Sequence, residues 1–188
     1  MNRRIGIIGF GNMGSAIAKL LKADYRIFVF EKDASKTNGL ADIQAASGIA
    51  DVVNKVDTVI LAVKPQDFDA VLDEIRTCSN LTDKLFISIA AGITTQYMEK
   101  TLGVARVIRA MPNMPAKIGL GITCLSKGRF ATEEDFDFTQ DLFLYLGETL
   151  RIEERMMNAA TAISGSGPGY CYDLIETKNI DTADIDAV

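Results

Sequence analysis

Apolar positions along this chain fall into short unbroken runs separated by stretches of helical spacing. Ile5-Gly6-Ile7-Ile8 is one such run, and Ala16, Ile17, Leu20 and Leu21 follow it at helical intervals. Residues 25–30 predict a second strand and residues 43–46 a short third, with a helical turn or two over 49–56. Thr58-Val59-Ile60-Leu61-Ala62-Val63 is nearly continuous in apolar character, as in a strand buried on both faces, and it stops at Lys64-Pro65. Proline cannot extend a central strand, so the chain must turn out there. Phe68, Val71, Leu72 and Ile75 then mark an amphipathic helix. Further strands are predicted over 85–89, 105–111, 118–125 and 148–152, with helices over 95–102 and from Thr132 to the break at Gly147. Helical spacing resumes over 153–163.

This alternation predicts an α/β fold, a Rossmann-type doubly wound and mostly parallel sheet over residues 1–152. Residues 153–188 are predicted to start a helical domain. Between the first run and the first helix stands Gly9-Phe10-Gly11-Asn12-Met13-Gly14. In that strand–turn–helix setting Gly9 permits the tight turn, Gly11 lets backbone approach a pyrophosphate, and Gly14 lets helix and strand pack closely. Helix-start N–H groups would then receive phosphates. The same glycines also suit an ordinary βα turn.

Glu31 lies about 20 residues beyond the glycine turn, where a carboxylate accepts the adenosine ribose 2′-OH in NAD sites. Lys32 beside it suits a phosphate instead, and a solvated strand end accounts for either residue. On chemistry alone Glu31 points to NAD.

Composition narrows the chemistry. The 188 residues are 48% hydrophobic and 24% charged, with net charge −5, enough apolar material for a core and the wrong sign for a nucleic-acid partner. No apolar run approaches membrane-spanning length, and Met1-Asn2-Arg3-Arg4 leads directly into a strand. The three cysteines are widely spaced, the pattern of free thiols in a cytoplasmic chain. Histidine is absent, which removes Ser-His-Asp and Cys-His catalysis and histidine-based zinc sites, and no metal is expected. Reactivity must therefore come from a cofactor.

Three later stretches have chemical potential. Ala90-Ala91-Gly92 closes a strand with almost no side chain, which suits a flat ring against the backbone or simple close packing. Pro112-Asn113-Met114-Pro115 is a stiff loop presenting Asn113, either to match a carboxamide edge or to cap a turn. Ser164-Gly165-Ser166-Gly167-Pro168 offers consecutive N–H groups for a carboxylate, or serves as an interdomain hinge.

Taken in order and spacing, GFGNMG, AVKP, SIAAG, RAMPNMPA and AISGSGPGY resemble the pyrroline-5-carboxylate reductase family over residues 5–176. The resemblance implies a cytoplasmic enzyme of proline biosynthesis that reduces the imine 1-pyrroline-5-carboxylate to L-proline with NADPH. It also implies pyrophosphate binding at residues 10–14, and a nicotinamide flanked by Ala62, Val63, Lys64 and Pro65 and by Ile89, Ala90 and Ala91. Met111, Pro112 and Asn113 would line the same pocket. Glu153, Ser164, Gly165, Ser166 and Gly167 would border the substrate.

Three residues depart from the family pattern: Met114 for threonine, Gly169 for alanine, and Glu31, which would repel a 2′-phosphate and keeps NADH a rival. Family members continue into an all-helical domain that forms a homodimer and carries a Gly-Gly-Thr-Thr motif. Residues 177–188 are acidic and lack that apolar face, so the sequence reads as truncated before that domain and frayed at its end. The expectation is thus a reductase or, alternatively, a dinucleotide-binding module with weak or no turnover.

Overall fold

The computed structural model describes residues 3–165. Eight strands, β1 (Arg4–Ile8), β2 (Arg26–Phe30), β3 (Ile43–Ala45), β4 (Thr58–Leu61), β5 (Leu85–Ser88), β6 (Arg106–Pro112), β7 (Gly121–Lys127) and β8 (Gly147–Arg151), form one sheet. Their order is β3-β2-β1-β4-β5-β6-β7-β8. The sequence progresses leftward from β1 to β3 and then rightward from β4, so the winding reverses between β1 and β4. Both neighbours pair with β1 in parallel, Ile5 opposite Ile27 on one side and Thr58 on the other.

Helices cover both faces because the crossovers must. α1 (Asn12–Leu21), α2 (Ile49–Lys55), α3 (Phe68–Ile75), α4 (Thr95–Leu102) and α5 (Glu133–Leu144) each bury one stripe. Ile17, Ala18 and Leu21 of α1 join Phe136, Leu142 and Phe143 of α5 in one apolar layer with Ile5, Ile7, Ile60 and Ile87. Val52 and Val53 of α2, Phe68 and Leu72 of α3, and Met98 of α4 form the other with Ile8, Val59 and Phe86. Central strands buried on both faces explain the continuous apolar runs. One pair runs antiparallel, β6 with β7. The connection between Pro112 and Gly121 holds only a 3-10 turn, Met114–Ile118, too short for the crossover a parallel return needs.

Two expectations are corrected. The strand predicted from Ile118 begins at Gly121, because Ile118 closes the 3-10 turn capped by Gly119 at φ 76°. The helix predicted over 153–163 is broken: a 3-10 turn Glu154–Met156, a short α6 (Met157–Ala160) and a π turn Thr161–Gly165 succeed one another. The expected helix beyond 165 and the acidic tail lie outside the described residues. Among the described residues no helix is long and apolar enough to cross a membrane.

Candidate functional site

In open α/β sheets the carboxyl ends of the strands diverge where the winding reverses, leaving a crevice. Here a cleft of about 500 Å³ opens at that place, within the range of small-molecule sites. Ile8 and Gly9 line it from the end of β1, Phe30 and Glu31 from β2, and Ala62, Val63 and Lys64 from β4. A larger, shallower depression of about 830 Å³ between α4 and the turn after β7 shares none of these residues. It is lined by exposed side chains such as Tyr97, Lys100 and Arg129, without the convergence of strand ends that marks a site in this fold.

The glycine turn is built from close contacts. Gly9 sits at φ 97°, and a Cβ there would lie 2.6 Å from the carbonyl oxygen of Ala62. A Cβ on Gly14 would lie 2.1 Å from the Gly9 carbonyl oxygen. Both positions therefore exclude any side chain. Gly11 differs: its φ is −73° and a Cβ would meet nothing within 4 Å. It faces open cleft, where backbone is accessible to a ligand. Gly11 also caps α1 without a side-chain hydrogen bond, so the first N–H groups of the helix, beginning with Asn12, stay available to an anion. Asn12 is exposed and Met13 packs on the core. Phe10 buries its ring in the α1 layer and presents only backbone to the turn.

That backbone is already engaged. Phe10 N–H donates to Glu31 Oε2 at 2.7 Å, and Asp33 N–H donates to Glu31 Oε1 at 3.2 Å. The Glu31 side chain is 8% exposed, with Lys36 Nζ 3.6 Å away. Burial pushes the Glu31 carboxyl up, but the two backbone donors and the Lys36 ammonium outweigh it and hold the carboxyl below its usual range. The structure thus turns Glu31 inward onto the glycine loop. Lys32 reaches across the cleft to Asp67 Oδ1 at 3.1 Å, and with Lys36 and Lys64 it makes three ammonium groups on the lining.

The second group of sequence-predicted residues lies alongside. Because β4, β5 and β6 are neighbours, Ala62 to Pro65 and Ile89 to Ala91 leave the sheet beside the last residues of β6, Met111 and Pro112, which still pair with β7. Ala90 is buried and its N–H donates to Ser88 Oγ at 3.2 Å, while Ala91 is exposed. Asn113 Oδ1 accepts from Ile122 N–H at 3.0 Å, so its oxygen pins the start of β7. Met114 is half exposed in the following turn.

Glu153 points to solvent and pairs with Arg155. Its neighbour Glu154 is the inward residue, which the sequence reading missed. Glu154 Oε1 accepts from Arg109 Nη1 at 2.9 Å and from Thr95 N–H at 3.4 Å. Arg109 is 1% exposed, and its Nε and Nη2 have no hydrogen-bond partner in the structure. An arginine inside the apolar run of β6 was the available signal. Ser164 and Gly165 have their backbone in the π turn, and Ser166 and Gly167 lie outside the described residues. Among the described residues no group of three or more Cys, Asp or Glu is placed to hold a metal ion.

The chain is similar to known oxidoreductases in sequence and in fold. Residues 4–92 fit the family described as NADP oxidoreductase coenzyme F420-dependent. The chain is 37% identical over 185 residues to pyrroline-5-carboxylate reductase of Escherichia coli (strain K12), covering 94% of this chain and 68% of that protein. It is 35% identical over 184 residues to the Mycobacterium leprae reductase, covering 92% of this chain and 63% of the relative. The chain therefore spans about two thirds of the length of the curated relatives it matches. A solved Plasmodium falciparum pyrroline carboxylate reductase with NADP bound superposes with a TM-score of 0.83 at 29% identity, over 94% of this chain and 67% of that one.

Proposed function

The chain belongs to the pyrroline-5-carboxylate reductase family, and we propose that it serves NADPH-dependent reduction of the C=N bond of 1-pyrroline-5-carboxylate to L-proline. The observation that carries this reading is the glycine-lined cleft at the β1/β4 reversal, with Gly11 open to a ligand and the α1 N-terminus uncapped by any side chain.

The residues present fit a phosphorylated dinucleotide. Backbone N–H groups at the start of α1 suit the pyrophosphate. Lys32 and Lys36 after β2 and Lys64 after β4 bring ammonium groups to the lining, beside the carboxylates of Glu31, Asp67 and Glu74. When bound, the cofactor supplies the hydride. The chain's own part is to position it: the small side chains of Ala62, Ala90 and Ala91 leave room for a flat ring at the strand ends. Proximity and orientation carry catalysis of this kind, without a protein nucleophile.

In this reading residues 1–152 are the dinucleotide-binding domain and residues 153–188 begin a helical substrate domain, with assembly as a homodimer in the cytoplasm. The test is nicotinamide oxidation by the purified chain with 1-pyrroline-5-carboxylate, run with NADPH and with NADH. Turnover, faster with NADPH, supports the proposal. Dinucleotide binding without turnover leaves a binding role alone, and absence of binding overturns both.

A further inference from the structure

Arg109 lies in β6 opposite Ser88, the last residue of β5. Two residues on from Val107 and Phe86, both side chains share the sheet face that α4 covers. Ser88 is fully buried, and its Oγ accepts from Ala90 N–H at 3.2 Å. Ser88 and its neighbour Arg109 therefore lie one residue short of the strand end Ile89 to Ala91, where the dinucleotide reading seats the nicotinamide. The turn beyond that strand end runs into α4, and Glu154 meets it there. Glu154 Oε1 accepts from Thr95 N–H at 3.4 Å and from Arg109 Nη1 at 2.9 Å. One carboxylate oxygen thus ties the start of α4 to β6, the strand beside β5, across residues 89–94.

Stability alone does not call for a charged pair here. Apolar side chains of similar volume often match or exceed a buried ion pair, and this one leaves Arg109 Nε and Nη2 without partners. A charge-assisted hydrogen bond supplies direction instead. Apolar contacts permit sliding, whereas an acceptor at 2.9 Å fixes one arrangement. The turn needs such fixing. Ala91 and Gly92 are exposed and nearly without side chains, and Gly92 sits at φ 77°, so they cannot pack the turn down by themselves.

Building on the dinucleotide reading above, we propose that Arg109 and Glu154 are positioning residues for the nicotinamide ring. Arg109 is 1% exposed and acts through Glu154 and Thr95, not by contact with the ring. The pair holds residues 89–94 in one place at the strand ends. It also anchors the segment that runs from Glu154 to Gly165, so ring seat and segment keep one spacing.

The test is titration of the whole chain with NADPH and with adenosine 2′,5′-bisphosphate, the half without the ring, and it needs no turnover. Calorimetry gives both Kd values, and emission of the reduced nicotinamide reports how the ring is held. Arg109→Met, checked for fold by circular dichroism, is expected to raise the Kd of NADPH about fivefold and that of the bisphosphate by less than about twofold. It also returns the emission of bound NADPH toward that of the free form. Glu154→Gln retains an acceptor oxygen for Arg109 and Thr95 and keeps the wild-type ratio within about twofold. Should Arg109→Met fail to fold, Glu154→Asp, one methylene shorter with its charge kept, replaces it with the same expected split. Wild-type behaviour of that variant toward both ligands overturns the proposal, and so does equal weakening of both, which marks a general loss of the cleft. If the wild type binds both ligands equally well, the ring has no seat on this chain and the proposal fails while the dinucleotide reading stands. If it binds neither, the dinucleotide reading itself fails.

Discussion

Removing Glu154 should cost far more stability than removing the arginine it pairs with. The Arg109 side chain is 2% exposed and that of Glu154 is 29% exposed. Glu154 Oε1 is the acceptor for Arg109 Nη1, while Arg109 Nε and Nη2 have no partner in the structure. Glu154→Ala therefore leaves a guanidinium inside the sheet–helix layer with its one paired nitrogen stripped. It also removes the acceptor for Thr95 N–H at the start of α4. Breaking a buried pair from one side costs about 3–5 kcal/mol. For a chain of this size that lowers Tm by roughly 6–20 °C.

Arg109→Met removes the charge together with its unsatisfied donors and fills similar volume, and Glu154 can turn toward solvent. That substitution should cost less than about 1.5 kcal/mol, and joining it to Glu154→Gln should add little. Urea unfolding followed by circular dichroism gives all the free energies, and the slope shows whether the two-state comparison holds. A Glu154→Ala cost below about 1 kcal/mol, or an Arg109→Met cost equal to it, would refute the reasoning. Either result means that water already solvates the guanidinium.

The glycine turn gives a paired test. Gly14→Ala places a methyl 2.1 Å from the Gly9 carbonyl oxygen and should lower stability by about 2 kcal/mol or more, whereas Gly11→Ala meets nothing and should fold normally while losing dinucleotide affinity by titration. Asn113→Ala strips the acceptor from Ile122 N–H and should cost about 1 kcal/mol in the same unfolding assay. Hydrogen bonds from Arg151 and Lys127 hold the Glu133 carboxyl at about 2, below its ordinary 4.5. A folded-state value below the unfolded one makes the contribution complete above the unfolded carboxylate range and lost as pH falls toward the folded value. Thermal melts from pH 5 to pH 2 should therefore fall less steeply for Glu133→Gln than for the wild type, and parallel curves would show that the pair is too solvated to matter.

The sequence by itself determined the sheet. Nearly continuous apolar runs at 5–8, 58–63 and 85–89 suit strands covered on both faces, and helical spacing between them supplies the cover. The glycine turn was legible because Gly9 and Gly14 answer to local backbone geometry, a tight turn and a close contact, which a short motif encodes. What the motif could not encode was direction. Glu31 reads as a ribose acceptor by its spacing, but only the packing of β1 beside β2 puts Phe10 N–H 2.7 Å from its carboxylate.

The helix expected over 153–163 failed for a related reason. Its apolar spacing is helical, but 3-10, α and π turns follow one another, and the first of them carries the inward bonds of Glu154 to Arg109 and Thr95. Glu153 and Glu154 are equivalent in sequence and opposite in structure, one turned to solvent and one turned inward onto a buried arginine 45 residues away. Local spacing specifies elements because neighbours along the chain set it. The partner of a buried charge is set by residues distant in sequence, and that only the tertiary structure decides.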